Sequence, residues 1–162
     1  MGERVVSKEP RDRITVDPNV LLAQAQELAR YIEALQNALA AAEATRTNIR
    51  TAIETIEAVS QEEGELLVPA DTGGTAYFKA KPLDKEKVIV HLGGEYYASL
   101  PVDQAREKLE KRLDAVEKQE AELRKKLEEA TRQYQALQSL LQQLAIAARQ
   151  AQQSRPAKEQ SS

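Results

Sequence analysis

The residues of this chain that could perform chemistry are few, and their spacing does not suit it. The one histidine, His91, could act as a general base or metal ligand, yet it lies in a predicted strand without a triad partner. One histidine also cannot build a histidine-rich metal site. Glu62, Glu63 and Glu65 are carboxylates that nothing sets opposite one another as a general-acid pair. We therefore expect no catalytic residue, metal site or cofactor, and predict that the chain is not an enzyme.

Two glycine pairs are the remaining candidates for chemistry, because glycine-rich loops can cradle phosphate. Gly73-Gly74 and Gly93-Gly94 each lie between segments whose apolar residues alternate with period two, and no GxxxxGK sequence follows either pair. Tight hairpin turns need the positive backbone angles that glycine adopts readily. We interpret both pairs as hairpin turns.

The elements that carry these residues are short strands at the centre of the chain. Five of the six glycines lie between Gly64 and Gly94, among segments that alternate with period two. The predicted strands are Leu66–Val68, Thr75–Lys81, Val88–Leu92 and Tyr96–Leu100. They form two hairpins joined by a polar crossover over 82–87, and Pro101 is predicted to open the following helix.

Two long stretches that lack glycine and proline, Val20–Glu63 and Val102–Arg155, flank this centre. Each carries apolar residues at the alternating four-and-three spacing of a coiled-coil seam. The first seam comprises Leu21, Ala25, Leu28, Ile32, Leu35, Leu39, Ala42, Arg46, Ile49, Ile53, Ile56 and Ser60. The second comprises Val102, Ala105, Leu109, Leu113, Val116, Glu120, Leu123, Leu127, Ala130, Tyr134, Leu137, Leu141, Leu144, Ala148 and Ala151.

This arrangement predicts that the chain folds back as an antiparallel coiled coil. Facing seam positions should then have numbers that add to about 165, which sets Arg46 against Glu120. These two residues are breaks in their seams, so an ion pair between them would fix the helix register more than it would stabilise the fold. The alternative is that both are unrelated polar residues that snorkel from the seam to solvent.

Composition limits the remaining possibilities. The chain has no cysteine, 4% aromatic residues and a net charge of −3, which give no disulfide framework, little material for a globular core and no electrostatic footprint for nucleic acid. No apolar run approaches the roughly 18 residues of a membrane span. We expect a soluble, cytoplasmic α+β protein with disordered tails over 1–14 and 152–162. One domain over 15–151 would hold a helix over 15–63, two hairpins over 64–100 and a helix over 101–151.

The order helix, two hairpins, helix resembles the alpha class of the prefoldin family, a hexameric chaperone of archaea and eukaryotes. Two hairpins rather than one favour the alpha over the beta class. The residues that carry the resemblance lie between Glu65 and Leu113. They are Leu66-Leu67-Val68-Pro69, Val88-Ile89-Val90-His91-Leu92-Gly93, Tyr96-Tyr97, and the helical positions Ala105, Leu109, Arg112 and Leu113.

The resemblance implies a hexamer of two alpha and four beta subunits that holds non-native polypeptides without nucleotide and passes them to a group II chaperonin. Independently, four short strands with little apolar mass are marginal alone and leave open edges, so we expect them to complete a sheet or barrel with other subunits. The resemblance implies that this is an intersubunit β-barrel. The expected interface residues are Leu66, Val68, Ala76, Phe78, Val88, Val90, Tyr96 and Ala98.

The resemblance also implies that clients are held at the tips of the coiled coil, and apolar residues gather there. We call the candidates the tip residues: Val16, Val20, Leu21, Leu22, Leu140, Leu141, Leu144 and Ile146. One seam cannot bury all of them, so the excess apolar surface would be an interaction site. The alternative is that they wrap the flanks of the coiled coil.

Two functions outside this hypothesis were weighed. A structural coiled-coil adaptor without holding activity would explain the seams equally well, but it explains neither the paired hairpins nor the apolar excess at the far end. An amphipathic helix lying on a membrane surface is disfavoured by the narrow seam and its acidic flanks on the first helix.

Overall fold

The computed structural model describes residues 16–61 and 63–154. The tail expected over 1–14, most of the tail expected over 152–162, and Glu62 of the acidic run lie outside the described residues. The elements, in chain order, are helix α1 (Pro18–Gln61), strands β1 (Leu66–Pro69), β2 (Tyr77–Ala80), β3 (Lys87–Gly93) and β4 (Tyr96–Pro101), and helix α2 (Val102–Gln153).

Helix α1 begins at Pro18 because Asp17 caps it. The Asp17 carboxylate accepts a hydrogen bond from the Asn19 amide at 2.9 Å, and the Asp17 carbonyl accepts one from the Val20 amide at 3.1 Å. Proline suits the first helical position because it lacks the N–H that would otherwise need a partner. The same preference led to the prediction that Pro101 opens the second helix. Instead Pro101 ends β4, where it pairs with Lys87, and α2 begins one residue later.

The four strands form two separate antiparallel hairpins, β1 with β2 and β3 with β4. Leu66 pairs with Ala80 in the first and Val88 with Leu100 in the second, and β3 has an irregularity between His91 and Gly93. The strand β2 is shorter than predicted, because residues 71–75 form the turn.

Three of the four turn glycines adopt positive φ: Gly74 at 66°, Gly93 at 125° and Gly94 at 58°. Gly73, which we expected to do the same, does not. At Gly74 an added Cβ would lie 2.6 Å from the Tyr77 hydroxyl oxygen, so glycine is required there by both conformation and space.

The chain divides into two compact units. The first unit, Gln36–Lys125, contains both hairpins and the adjoining parts of the helices. Its core joins both helices to the second hairpin and consists of Ala42, Ile49, Val90, Ala105, Leu109 and Val116. Arg50 and Glu117 form an ion pair at 2.8 Å, and Glu57 and Arg106 one at 3.7 Å, so α1 and α2 run antiparallel here.

The other unit contains the described residues before Gln36 and after Lys125. Here Leu21, Ala25, Leu35 and Ala130 are buried. A groove between the helices is lined by Gln24, Glu27, Leu28 and Tyr31 of α1 and by Gln133 and Leu137 of α2, which also requires an antiparallel arrangement.

The predicted seams locate the helix core well. Every buried helical residue in the described ranges is a predicted seam position, including the polar Glu120. At the carboxyl end of α2 the seam prediction was wrong, because Ala148 and Ala151 are exposed. Among the described residues α1 begins only at Pro18, so it offers few residues to cover the carboxyl end of α2. Gln152 and Gln153, expected in a tail, are helical.

Candidate functional site

In the unit formed by the described residues before Gln36 and after Lys125, the most distinctive surface comes from two segments without charge. In α2, no charged residue occurs from Gln133 to Ala148, and in α1 none occurs from Pro18 to Gln26. We call these two segments the uncharged stretches. Exposed aliphatic side chains lie within them, among glutamines and alanines. A partner could therefore cover this apolar surface without desolvating a charged side chain of these stretches.

The structure places the eight tip residues in three classes of exposure. Leu21 is buried, and Leu141 and Leu144 are half-buried, as expected of seam positions. The other five are exposed, and Val20, Leu22 and Ile146 expose about half of their surface, at 52%, 50% and 54%. The exposed tip residues are Val16, Val20, Leu22, Leu140 and Ile146. They lie where a partner chain could reach them without opening the helices.

Tyr31 is a further exposed apolar residue of this unit that the sequence did not single out, at 48% exposed. It lines the groove between the helices, beside Leu28 and Leu137. Its sequence signal was weak because it lies one position before the seam residue Ile32. The uncharged stretches would have been a stronger signal, since they mark the same end of the coiled coil.

The hairpins carry the second exposed apolar surface, and here the expected face must be corrected. Of the eight expected interface residues, Val90 is 5% exposed and belongs to the chain's own core, where Val88 packs against it. Ala98 pairs with Val90 and is half-buried. Of the four expected residues on the second hairpin, Val88, Val90 and Ala98 therefore lie on the face that covers the helices, whereas Tyr96 is 76% exposed.

The opposite face of the second hairpin is the exposed one. Ile89 is 72% exposed and Tyr97 66% exposed, and both were omitted from the expected interface. On the first hairpin, both faces are open, with Val68 and Phe78 on one face and Leu67 and Tyr77 on the other. The exposed apolar residues of the hairpins are Leu67, Val68, Tyr77, Phe78, Ile89, Leu92, Tyr96 and Tyr97.

Arg46 and Glu120, predicted to face each other, are brought together in the first unit. Arg46 Nη1 lies 3.3 Å from Glu120 Oε2, and the Glu120 side chain is 5% exposed. Glu43 of α1 also pairs with Arg124 of α2, whose guanidinium lies 3.9 Å from Glu120. The seam is therefore crossed by charge at one level of the coiled coil.

The polar side chains of the hairpin turns, including His91, make contacts within the turns themselves. The His91 Nε2 atom lies 2.9 Å from the Gly94 carbonyl oxygen within the turn, and its ring lies 4.9 Å from that of Tyr97. In the first turn, hydrogen bonds from the Thr75 hydroxyl and amide lower the pKa of Asp71. No group of three or more metal-binding side chains occurs within 16–61 and 63–154, and none of the described helices is long and apolar enough to cross a membrane.

Comparison with known proteins identifies the family. A family model described as prefoldin subunit matches residues 28–147, which is most of the chain. The chain belongs to the prefoldin family. Prefoldin proteins are chaperone subunits, and the matched region includes most of both helices and both hairpins.

Curated relatives place the chain near the alpha subunits of prefoldin. It is 35% identical over 127 residues to prefoldin subunit alpha of Aeropyrum pernix, an alignment that covers 78% of this chain and 84% of the relative. It is 32% identical to that of Sulfurisphaera tokodaii, with 85% and 90% covered, and 35% identical to that of Saccharolobus islandicus, with 86% and 94% covered.

A solved structure agrees on the fold. The cryo-EM structure of filamentous PFD from Methanocaldococcus jannaschii superposes with a TM-score of 0.57 at 20% identity, covering 75% of this chain and 98% of the other. The architecture of two long helices and two antiparallel hairpins expected from the sequence is thereby confirmed.

Proposed function

We propose that this prefoldin subunit is an ATP-independent holding chaperone that captures non-native polypeptides through its tip residues and delivers them to a group II chaperonin in the cytoplasm. The single observation that carries the proposal is that exposed aliphatic side chains occupy the uncharged stretches of a prefoldin chain. Such a surface is open before any partner binds, so capture needs no nucleotide-driven opening.

The chemistry of the uncharged stretches suits a non-native client. A non-native chain exposes apolar side chains that a folded protein buries, and their sequence differs from client to client. Contact between aliphatic groups is non-directional, so it accepts many sequences. The absence of nearby charge removes the cost of desolvating an ionic group when a client covers the surface.

Each contact of this kind is weak. Burying one leucine contributes roughly 1.5 to 3 kcal/mol, before the cost of ordering the client. Several subunits acting on one flexible client would gain by effective concentration, and could still release it one contact at a time. This combination favours holding followed by transfer over permanent binding.

Assembly with other prefoldin subunits would supply the several contacts. We propose that two copies of this alpha-class chain join four beta subunits through the hairpins, which complete an intersubunit β-barrel. Two two-stranded hairpins with aromatic and aliphatic residues exposed on their faces are incomplete as isolated sheets, which supports this arrangement. The outward face containing Ile89 and Tyr97 and both faces of the first hairpin are the surfaces we assign to it.

The experiment replaces two exposed tip residues in the assembled complex, as L22S with I146S. Suppression of the aggregation of a chemically denatured client should fall severalfold, while the native mass of the complex stays unchanged. The matched control is L83S, which replaces a fully exposed leucine on the crossover between the hairpins. That variant should hold clients as well as the unmodified chain.

Three other outcomes would contradict the proposal. If L22S with I146S assembles and still holds clients fully, the tip residues are not the binding surface. If removal of residues up to Leu22 and beyond Leu140 abolishes assembly but retains holding, the roles of the two surfaces are reversed. A complex that assembles but never suppresses aggregation, with or without these changes, would favour the structural adaptor.

A further inference from the structure

An ionic ladder crosses the seam between the helices in the unit Gln36–Lys125. Three pairs compose it, each joining α1 to α2, and all lie within about two helical turns. They are Glu43 with Arg124, Arg46 with Glu120 at 3.3 Å, and Arg50 with Glu117 at 2.8 Å. Heptad spacing predicts only the middle pair, because the outer pairs flank the seam.

The middle pair is costly in the place where it lies. Glu120 is buried, with 5% of its side chain exposed, whereas Arg46 reaches partly into solvent at 32%. The Glu120 Oε1 atom accepts no hydrogen bond from any residue in 16–61 or 63–154. Desolvation of such a carboxylate offsets much of the attraction, so an aliphatic residue would fill this seam position at lower cost. Stability alone does not account for the ladder.

Register does account for it, because the ladder is satisfied at one alignment of the helices. If α1 moved by one heptad away from the strands, about 10 Å along α2, Glu120 would face Ile53 instead of Arg46. Glu117 would then face Glu57, and Arg124 would face Arg50. One move therefore takes Arg46 away from a buried carboxylate, which keeps only the Arg124 guanidinium of its own helix at 3.9 Å, and brings two like-charged pairs together.

The aliphatic seam discriminates poorly against the same move. A one-heptad shift of α1 puts Ile56 in the place of Ile49, Leu39 in the place of Ile32 and Leu28 in the place of Leu21, so these seam positions remain aliphatic. α1 joins β1 through the short segment 62–65, whereas α2 follows β4 directly and is held there by the Val102 amide, which donates to the Glu86 carbonyl at 3.0 Å. Of the two helices, α1 is the one that could slide.

We infer that the ladder Glu43–Arg124, Arg46–Glu120 and Arg50–Glu117 is the register determinant of the coiled coil, retained at the expense of stability. It acts by penalising shifted alignments rather than by strengthening the correct one. This role does not depend on whether the protein holds clients, because it concerns the alignment of the two helices within one chain.

The test measures alignment and stability separately. The chain contains no cysteine, so T47C with K108C gives two exposed positions for spin labels, one on each helix. Electron resonance distance measurements should give a single distance in the full-length chain. In the variant R46L with E120L, we expect a second population about 10 Å longer together with a higher Tm.

The matched control is E128L with R132L, which also replaces one acid and one base by leucine. That pair is solvent-exposed and lies within α2 alone, at 3.0 Å. It should retain the single distance. R46Q with E120Q keeps the seam polar without charge and adds no leucine. It should also show the second population, because the ion pair is lost in it as well.

A single unchanged distance in both R46L with E120L and R46Q with E120Q would overturn the inference, whatever happens to Tm. If Tm fell while the distance stayed single, the ladder would be a stabilising contact only. If the control produced the same second population, the effect would come from added leucines rather than from loss of the ladder.

Discussion

The two halves of α2 differ in where charge lies and in how fully their seam is buried. From Asp103 to Arg132 more than half of the positions are charged, and the seam between them is filled by residues such as Ala105, Leu109 and Val116 that are almost fully buried. From Gln133 to Ala148 there is no charge, the seam residues are only half-buried, and Leu140 and Ile146 are exposed.

The difference teaches that packing and recognition need opposite arrangements of charge. Charges flanking the first half keep its surface soluble and confine apolar contact to one narrow seam, which suits a fixed alignment with α1. Their absence from the second half widens the apolar surface beyond the seam. That half therefore exposes more apolar surface and buries less of its own.

Truncating one leucine in each half of α2 should show the difference in packing most clearly. L109A should lower the free energy of unfolding by about 2 to 5 kcal/mol, because it leaves a cavity among buried residues. L140A should lower it by about 0.5 kcal/mol or less, since Leu140 is exposed. Chemical denaturation followed by circular dichroism measures both. Equal losses would mean that the two halves are packed alike.

Removing Arg46 alone should cost nearly as much. R46L leaves the buried Glu120 carboxylate with only Arg124 nearby, at 3.9 Å. We expect a loss of about 3 kcal/mol, near the lower end for a broken buried pair, because Arg124 remains. R46L with E120L should recover this loss. If R46L were as stable as the unmodified chain, the Glu120 carboxylate would have to be hydrated rather than buried.

Adding charge to the uncharged half should affect holding more than folding. Gln142 and Gln143 are exposed, so Q142E with Q143E should leave the Tm nearly unchanged. Suppression of client aggregation should fall severalfold, because a bound client would desolvate the new carboxylates. The control Q119E adds a carboxylate at an exposed position in the charged half. If Q142E with Q143E held clients as well as the unmodified chain, client binding would not depend on the absence of charge.

The smallest effect is expected at the first hairpin turn, far from both halves in sequence. Hydrogen bonds from Thr75 lower the pKa of Asp71 below its ordinary 3.8. The ionised form therefore stabilises the turn above pH 3.8, and this contribution is lost as pH falls through the lower folded-state pKa. The protection of the Thr75 amide from hydrogen exchange, relative to an unstructured peptide at the same pH, should fall in that pH range. D71N should remove this pH dependence, and its persistence in D71N would assign it to another group.

The sequence was sufficient for the elements and the seam, but not for the choice of hairpin face. Heptad spacing located the buried helical residues, and even the pairing of Arg46 with Glu120, because spacing within a regular helix fixes which side chains share a face. Period two cannot say which face of a strand meets the chain's own helices. Val90 was thus assigned outward and Ile89 was overlooked, although Val90 packs in the core.

The tip residues illustrate a different limit. The sequence identified them as apolar, but exposure depends on where the opposing helix begins. Among the described residues α1 starts only at the Asp17 cap and Pro18, and Val16, Val20 and Leu22 at that start are exposed. Gln133 to Ala148 lacks charge in the sequence itself, and that pattern would have marked the surface independently of the seam.

Site-specific photo-cross-linking tests the central claim, that the uncharged half of α2 is the surface that meets clients. A photoreactive amino acid at Leu140 is compared with the same residue at Lys118, an exposed position in the charged half. Each is incorporated into the assembled complex and irradiated with a denatured, labelled client. The account predicts that cross-linked client at position 140 exceeds that at position 118 severalfold. Equal yields, or a greater yield at position 118, would contradict it.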